Sequence, residues 1–356
     1  MPDVIGESMM IEAIDLFCGA GGLTAGLRKA GIKVKAGYDI AEECRYAFAY
    51  NNEAKFINKN VADVTADELN THYSEGSIRL LAGCAPCQPF SSYSQGRDVK
   101  NDEKWPLLSA FARLIREVRP ELVTMENVPD VTKHQVYHDF RSTLEAEGYK
   151  IWAQRVSCSE YGLPQQRYRH VLMASLLGDI KMIGPTHLHS PFTVKEAIGH
   201  LTPIAAGECD PDDSMHKCSK LNALNLRRIQ ASKPGGTWKD WPKELLNQCH
   251  CKESGNSYVG VYGRMEWDRP SPTMTTLCFG YGNGRFGHPE QDRGISLREA
   301  ALLQGFDDNY VFSSPDTAVT FKSVGRMIGN AVPVKLGEVI ARSFLNSISP
   351  SIGVSS

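Results

Sequence analysis

The chain has 356 residues, 42% hydrophobic and 22% charged, enough for one large domain or two of ordinary size with a sizeable core. A formal net charge of −2 excludes a global field that would draw it to nucleic acid or membrane, so any polyanion site has to be a local patch. The N-terminus (Met1-Pro-Asp-Val-Ile-Gly-Glu-Ser8) lacks a secretory pattern and no apolar run nears the ~20 residues of a membrane span, so a cytoplasmic protein with reduced thiols is expected despite 10 cysteines.

In chain order, Ile11 to Phe17 reads as a short buried strand, Gly19 to Gly22 as a turn, and Leu23 to Ala30 as a helix stopped by Gly31. Val34 to Tyr38 is a second strand, followed by a helix from Ala41 to Asn51. Phe56 to Val61 is a third strand with Asp63 at its end, and Arg79 to Gly83 a fourth. A helix over Pro106–Arg119 leads to a fifth strand, Leu122 to Glu126, and Phe140 to Gly148 is a further helix with a glycine stop. Lys150 to Val156 and Arg169 to Ser175 form a later strand pair. Strands separated by helices predict an α/β fold with a doubly wound, mostly parallel sheet. From Gly184 to Asp268 the pattern breaks into Gly/Pro-rich loops with several Trp and His, which predicts a smaller, irregular, β-rich domain. A helix returns at Ser296, with Glu299 in the capping-box position, and Val332 to Asn346 reads as a closing amphipathic helix.

Several strand ends carry chemistry. Asp15-Leu-Phe-Cys-Gly-Ala-Gly-Gly22 follows a strand and opens a helix, and glycines there let a ligand approach the backbone, though the spacing is tighter than G-x-G-x-x-G. Asp39, ending the second strand, can accept from both ribose hydroxyls, and Asp63 from an adenine amino group. Together they imply an adenosine-containing cofactor; singly, each Asp also reads as an N-cap. Cys87 stands in a Gly/Pro turn after the fourth strand, where open sheets bind ligands, and a thiolate is strongly nucleophilic near neutral pH. A buried structural thiol is the other reading, and Cys84-Ala-Pro-Cys87 also fits a redox dithiol. Glu126 ends the neighbouring strand, where a carboxyl could serve a ring nitrogen or bind a helix N-terminus. Arg167 and Arg169, two apart, share one face of a strand and suit a carbonyl oxygen or phosphate, or else a solvated face. Cys209, His216, Cys218, Cys249, His250 and Cys251 match no common zinc spacing, so no metal is expected.

Phe17-Cys-Gly-Ala-Gly-Gly22, Pro86-Cys-Gln88, Glu126-Asn-Val128, Gln165-x-Arg167-x-Arg169, Arg298-Glu-Ala-Ala-Leu-Leu-Gln-Gly-Phe306 and Gly329-Asn-Ala-Val-Pro333 together resemble, in order, the motif set of the C5-cytosine DNA methyltransferases. The match runs from about Ile11 to Ile340 and points to the bacterial or phage type, from a restriction-modification system or an orphan. Ala85 stands where Pro or Gly is common, Asp39 where Glu is frequent, and Trp105-Pro106 is unusual in the loop after the nucleophile.

The resemblance implies a class I methyltransferase fold using S-adenosylmethionine, with a catalytic domain over 1–187, a small domain over 188–321 holding the target-recognition region (188–276), and a returning segment, 322–356. It implies that Cys87 adds to C6 of an extruded cytosine, that Glu126 serves N3, and that Arg169, supported by Arg167, holds the O2 side. Cofactor contacts carried over are Phe17, Gly19, Ala20, Gly21, Gly22, Leu23, Asp39, Ile40, Asp63, Val64, Pro86, Leu107, Asn330 and Val332, with Pro86 and Asn127 also placing the nucleophile's turn. Ser91 to Lys104 reads as a lid closing over double-stranded DNA. Lys217, Lys220, Arg227, Arg228, Lys233, Lys239 and Lys243 offer local positive charge, while Arg293 and Arg298 read as braces of the small domain. A monomer working alongside a restriction endonuclease is expected; a tRNA cytosine methyltransferase and a non-catalytic DNA-binding regulator are the alternatives.

Overall fold

The computed structural model describes residues 10–86, 105–252 and 259–348. Cys87 and the expected lid, Ser91 to Lys104, lie outside the described residues.

The first unit takes in the chain up to Val156, Tyr168–Gly184 and the chain from Val334. Its centre is a seven-stranded sheet. The strands are β1 (Ile11–Leu16), β2 (Lys33–Asp39), β3 (Lys55–Asn58), β4 (Ile78–Gly83), β5 (Leu122–Asn127), β6 (Lys150–Ser157) and β7 (Tyr168–Ser175). They lie in the order β3-β2-β1-β4-β5-β7-β6. The first five pair in parallel, and β7 runs antiparallel to β5. The strand order reverses beside β1, so the carboxyl ends of β1 and β4 flank the crevice where such sheets bind ligands. β1 and β5 are buried at every position, as strands covered on both faces require.

The helices of this unit are α1 (Gly22–Lys29), α2 (Arg45–Asn52), α3 (Ala66–Asn70), α4 (Trp105–Val118) and α5 (Gln135–Ala146). Leu108, Phe111, Leu114 and Ile115 of α4 recur at helical spacing and enter the core with Phe140 and Leu144 of α5. β3 is shorter than the sequence predicts. The Asn60 side chain accepts from the Ala62 N–H and caps a 3-10 turn, Val61–Asp63, which takes the place of the strand's end.

The second unit comprises Ser157–Arg167 and Pro185–Pro333. It holds α6 (Val194–Ile198), α7 (Ala223–Gln230), α8 (Leu297–Leu303) and α9 (Phe321–Asn330). α10 (Val334–Ile348) belongs to the first unit. Three stretches sort differently from the expected boundaries, the shortest being residues 185–187, which fall in the second unit. Residues 157–167 join the second unit, tied there by the bond from the Gln166 N–H to the Ser271 carbonyl, and residues 322–333 join it through α9, which packs on α8.

The β-rich character expected of this unit is reduced, among the described residues, to isolated bridges such as Arg264↔Gly287 and Gly287↔Gly294. Glycine at a paired position brings no side chain to pack and weakens a ladder. The unit is held instead by buried polar groups. Arg293 is 0% exposed and forks onto Glu299 at 2.8 and 2.7 Å, while Glu299 also completes the predicted capping box with Ser296. Arg298 pairs with Asp213 at 2.6 Å and donates to the Tyr310 carbonyl. Both arginines therefore brace the unit.

α1 and α10 meet at unusually close range in the first unit. A Cβ placed on Gly26 would lie 2.2 Å from the Val334 carbonyl oxygen, and one on Gly337 would lie 2.7 Å from that of Leu23. Glycine is needed at both positions because the backbones themselves touch.

Candidate active site

β1 ends in a turn whose conformation dictates its residues. Phe17 (φ 60°), Gly19 (φ 51°) and Gly21 (φ 90°) all lie in the left-handed region. Two of these positions take glycine at little steric cost, while Phe17 holds a conformation that is strained for a bulky side chain. The Cys18 N–H donates to the Tyr38 carbonyl at 3.1 Å and fastens the turn to β2. Asp39, at the end of β2, takes the Gly19 N–H on Oδ2 and the Ala41 N–H on Oδ1, each at 2.8 Å. No atom lies within 4 Å of where a Cβ on Gly19 would stand, so the turn borders open space.

Phe17 is half-buried, and Ile40, next to Asp39, is 72% exposed, which is unusual for a large apolar side chain. Ala20, Gly21, Gly22 and Leu23 are buried as α1 begins. Asp63 is exposed in the 3-10 turn after β3, Val64 is fully buried in the core, and Leu107 is half-buried in the first turn of α4. Asn330 and Val332 belong to the second unit, the first exposed and the second buried.

Sequence reasoning passed over Asp15 as a functional residue. It is an acid inside an apolar strand, fully buried, with Oδ2 accepting from the Thr24 hydroxyl at 2.7 Å and Oδ1 without a hydrogen-bond partner. Its signal was a second carboxylate in Ile11-Glu-Ala-Ile-Asp-Leu16, followed by a hydroxyl, Thr24, in the first turn of the helix. Burial pushes the Asp15 carboxyl up to about 7, the Asp39 charge adds to the rise, and the Thr24 hydroxyl opposes it. Burial likewise raises Asp39, against the backbone N–H groups that favour its charge.

Asp15 gives a signed expectation. The unfolded aspartate titrates near 3.9, so between about pH 4 and pH 7 the folded state holds the extra proton. Stability therefore falls as pH rises across that window, by up to about 1.4 kcal/mol per unit for this group. Asp15→Asn should remove that part of the slope. Urea midpoints of parent and variant near pH 5 and near pH 7.5 check it; a constant difference between them would contradict the assignment.

The second half of the site lies where β4 and β5 end. Their parallel register, Ala82 opposite Thr124 and Gly83 opposite Met125, brings Cys84, Ala85 and Pro86 beside Glu126 and Asn127. Asn127 Nδ2 donates to the Ala85 carbonyl at 3.0 Å, and the Cys84 N–H donates to the Leu16 carbonyl at 3.2 Å. Pro86, half-buried, immediately precedes Cys87 in the chain.

Glu126 is 3% exposed. Its Oε2 receives the Cys84 thiol at 2.8 Å, and Arg169 Nε lies 2.8 Å from its Oε1. That second contact is an ion pair without hydrogen-bond alignment, since Oε1 has no hydrogen-bond partner.

The two arginines do not share a strand face. β7 starts at Tyr168, so Arg169 is on the strand, whereas Arg167 precedes it in the second unit. There it is buried and donates to the Met274 carbonyl at 3.1 Å and to those of Gly329 and Ala331 at 3.5 Å. The reason is Gln165, wholly buried, which binds the Leu303 carbonyl, Gln304 and the Met274 N–H and holds the preceding chain away from a strand path.

Two of the expected DNA-facing cations are likewise engaged within the second unit. Arg228 is buried against Trp241 and Tyr262 and donates to the Leu245 carbonyl, and Lys217 donates to the Val319 carbonyl. No group of His, Cys, Asp and Glu among the described residues could hold a metal ion. No helix among them is long and apolar enough to cross a membrane.

A doubly wound sheet with a glycine turn after β1, an acid ending β2 and a buried glutamate one residue before the end of β5 suits a nucleoside cofactor, and its fold is that of solved methyltransferases. The fold is shared with solved structures. A candidate DNA modification methyltransferase encoded within an E. coli prophage superposes with a TM-score of 0.72 at 23% identity, over 94% of this chain and 99% of the other. The methyltransferase EhMeth of Entamoeba histolytica does so at 0.65 and 16%, over 95% and 98%.

The family model for C-5 cytosine-specific DNA methylase matches residues 11–346, and the chain belongs to that family. It is 52% identical over 339 residues to the Type II methylase M.HgiDII of Herpetosiphon aurantiacus, covering 94% of this chain and 95% of the relative. It is 30% identical to the Type II methyltransferase M.Eco47II of Escherichia coli, over 94% and 78%. Its activity is methylation of DNA at cytosine C5, and the family implies S-adenosylmethionine as the methyl donor.

Proposed function

We propose that the residues at the strand ends divide the work of cytosine-5 methylation, and that the protein acts as a cytoplasmic monomer on a specific site in double-stranded DNA. In this reading the region 188–276 selects the site, and a cognate restriction endonuclease cuts the same sequence when it is unmethylated.

The described turn fits S-adenosylmethionine: open space beside Gly19, the half-buried Phe17 ring and the Asp39 carboxylate suit an adenosyl amino acid. Phe17 and Ile40 offer apolar surface for the adenine, Asp39 faces the ribose, and Gly19 to Gly22 admit the amino-acid part. Leu23, Asp63, Val64, Leu107, Asn330 and Val332 complete the set carried by the family's motifs. When bound, the cofactor supplies an electrophilic methyl on a sulfonium that leaves as a neutral sulfide.

Cytosine C5 is a poor nucleophile, and a thiolate at C6 makes the ring an enamine that is reactive at C5. Cys87 supplies that thiolate, forming the Sγ–C6 bond. Glu126 hydrogen-bonds N3, where charge gathers as the bond forms, and Arg169 holds the O2 side, with Arg167 bracing its neighbourhood from carbonyl contacts. After methylation the C5 proton leaves to a base, the electron pair re-forms the C5–C6 double bond, and Sγ departs as thiolate.

The observation that supports this most is the Glu126 carboxyl, buried at the end of β5 with a guanidinium at one oxygen, beside the turn that leads through Pro86 to Cys87. The test offers tritium-labelled S-adenosylmethionine with duplex DNA and, separately, tRNA. Label is expected on duplex DNA; label on tRNA alone would overturn the reading.

A further inference from the structure

The site contains a thiol that the reaction has not used. Cys84 is half-buried in the turn after β4, its N–H fixed to the Leu16 carbonyl and its thiol on Glu126 Oε2 at 2.8 Å. The terminal torsion of a glutamate is broad and nearly two-fold, so burial alone does not set the plane of its carboxylate. A donor fixed to the backbone and aimed at one oxygen does set it. The two oxygens of Glu126 are then inequivalent: Oε2 accepts the thiol, while Oε1, also buried, is charge-paired with Arg169 at 2.8 Å but has no aligned hydrogen bond. The pair with Arg169 compensates the charge at Oε1 but leaves its lone pairs without an aligned donor, which a bound ligand can supply.

We propose that Cys84 is a positioning residue, whose thiol holds Oε2 of Glu126 so that Oε1 is the oxygen presented to N3 of the target cytosine. The inference rests on the reading of Glu126 given above. It assigns the two cysteines of Cys84-Ala-Pro-Cys87 complementary duties, one aligning the acid and the other attacking the ring.

The test compares the parent with Cys84→Ser, which keeps a donor, and Cys84→Ala, which does not; Cys84→Val, which fills the volume without a donor, replaces Ala should that variant fail to fold. Single-turnover methyl transfer to duplex DNA is followed across pH, with cofactor and DNA affinities measured by titration. The donor-less variant is expected to lose about tenfold in the single-turnover rate, the order of one hydrogen bond to a charged group, with affinities unchanged. Its pH–rate profile should shift, and Cys84→Ser should restore most of the rate and the parent profile.

Parent-like rate and profile without the donor would overturn the proposal. So would equal losses in Ser and Ala with the parent pH profile, which is the mark of packing. Covalent capture by duplex DNA containing 5-fluorocytosine separates the two levels. Should the parent form no adduct, the reading of the site fails and takes this inference with it. Should the parent form the adduct while Cys84→Ala behaves as the parent does, the inference alone fails.

Discussion

Cys87→Ala is expected to bind S-adenosylmethionine and duplex DNA and to transfer methyl at least roughly 10⁴-fold more slowly, the scale seen when a covalent nucleophile is removed. Alanine leaves the cytosine ring aromatic, so C5 never becomes an enamine carbon, whatever the other groups do. Cys87→Ser should fail nearly as badly, because a hydroxyl gives almost no oxyanion near neutral pH, where a thiol gives a useful fraction of thiolate. Tritium transfer measures the rate, and denaturing electrophoresis with 5-fluorocytosine duplex shows the adduct in the parent and its loss in both variants. Undiminished transfer by Cys87→Ala would remove covalent catalysis from this protein.

The second large effect concerns stability. Arg293→Ala should destabilise the protein by about 3–5 kcal/mol, the usual result of leaving one member of a buried ion pair alone. The guanidinium is wholly buried and makes more than the fork onto Glu299: Nε donates to the Ile204 carbonyl and to Gln291, and Nη1 to the Gly294 carbonyl. Burial alone would raise the Glu299 carboxyl, but the hydrogen bonds and charge of Arg293 outweigh it and hold Glu299 below the ordinary value. Its contribution is therefore present above the unfolded carboxylate's range near 4.3 and is lost as pH falls through it.

Replacing both partners, as Arg293→Met with Glu299→Leu, should cost less than either single change, because no charge is then stranded. Urea unfolding of the three variants checks this, and a double variant worse than both singles would refute the charge-based account. His288, packed near Glu299, pulls the same way with pH: burial lowers it to about 4, so falling pH favours the unfolded chain, which takes up the proton first.

Much of the first unit could be read from the sequence because its signals are local. Short strands such as Ile78–Gly83 and Leu122–Asn127 are buried at nearly every position, and their apolar residues needed no tertiary knowledge to find. Asp39 stood out because it ends a strand about twenty residues after a glycine turn that itself follows a strand, although alone it also reads as an N-cap. The capping box at Ser296 and Glu299 is a four-residue pattern with a fixed geometry. What escaped depends on distant partners. The alternation through Arg167 and Arg169 looked like one strand face, but Gln165, bonded to residues more than a hundred positions away, diverts the chain before Tyr168. In the second unit the many Gly, Trp and His suggested strands, whereas the observed order comes from arginines such as Arg264, which binds the Ile229, His288 and Gln291 carbonyls. Cys84 was read as half of a possible redox dithiol, not as a donor, because a thiol's hydrogen bond leaves no trace in spacing.

The close seating of Gly26 against Val334 and Gly337 also fixes an order of events during synthesis. α1 emerges from the ribosome early, but α10, whose backbone covers it, is translated only after the whole of the second unit. Until then the nascent first domain has its sheet and cofactor turn but a bare groove along α1. α10 works as a latch, and closure of the first unit waits on residues translated after the second.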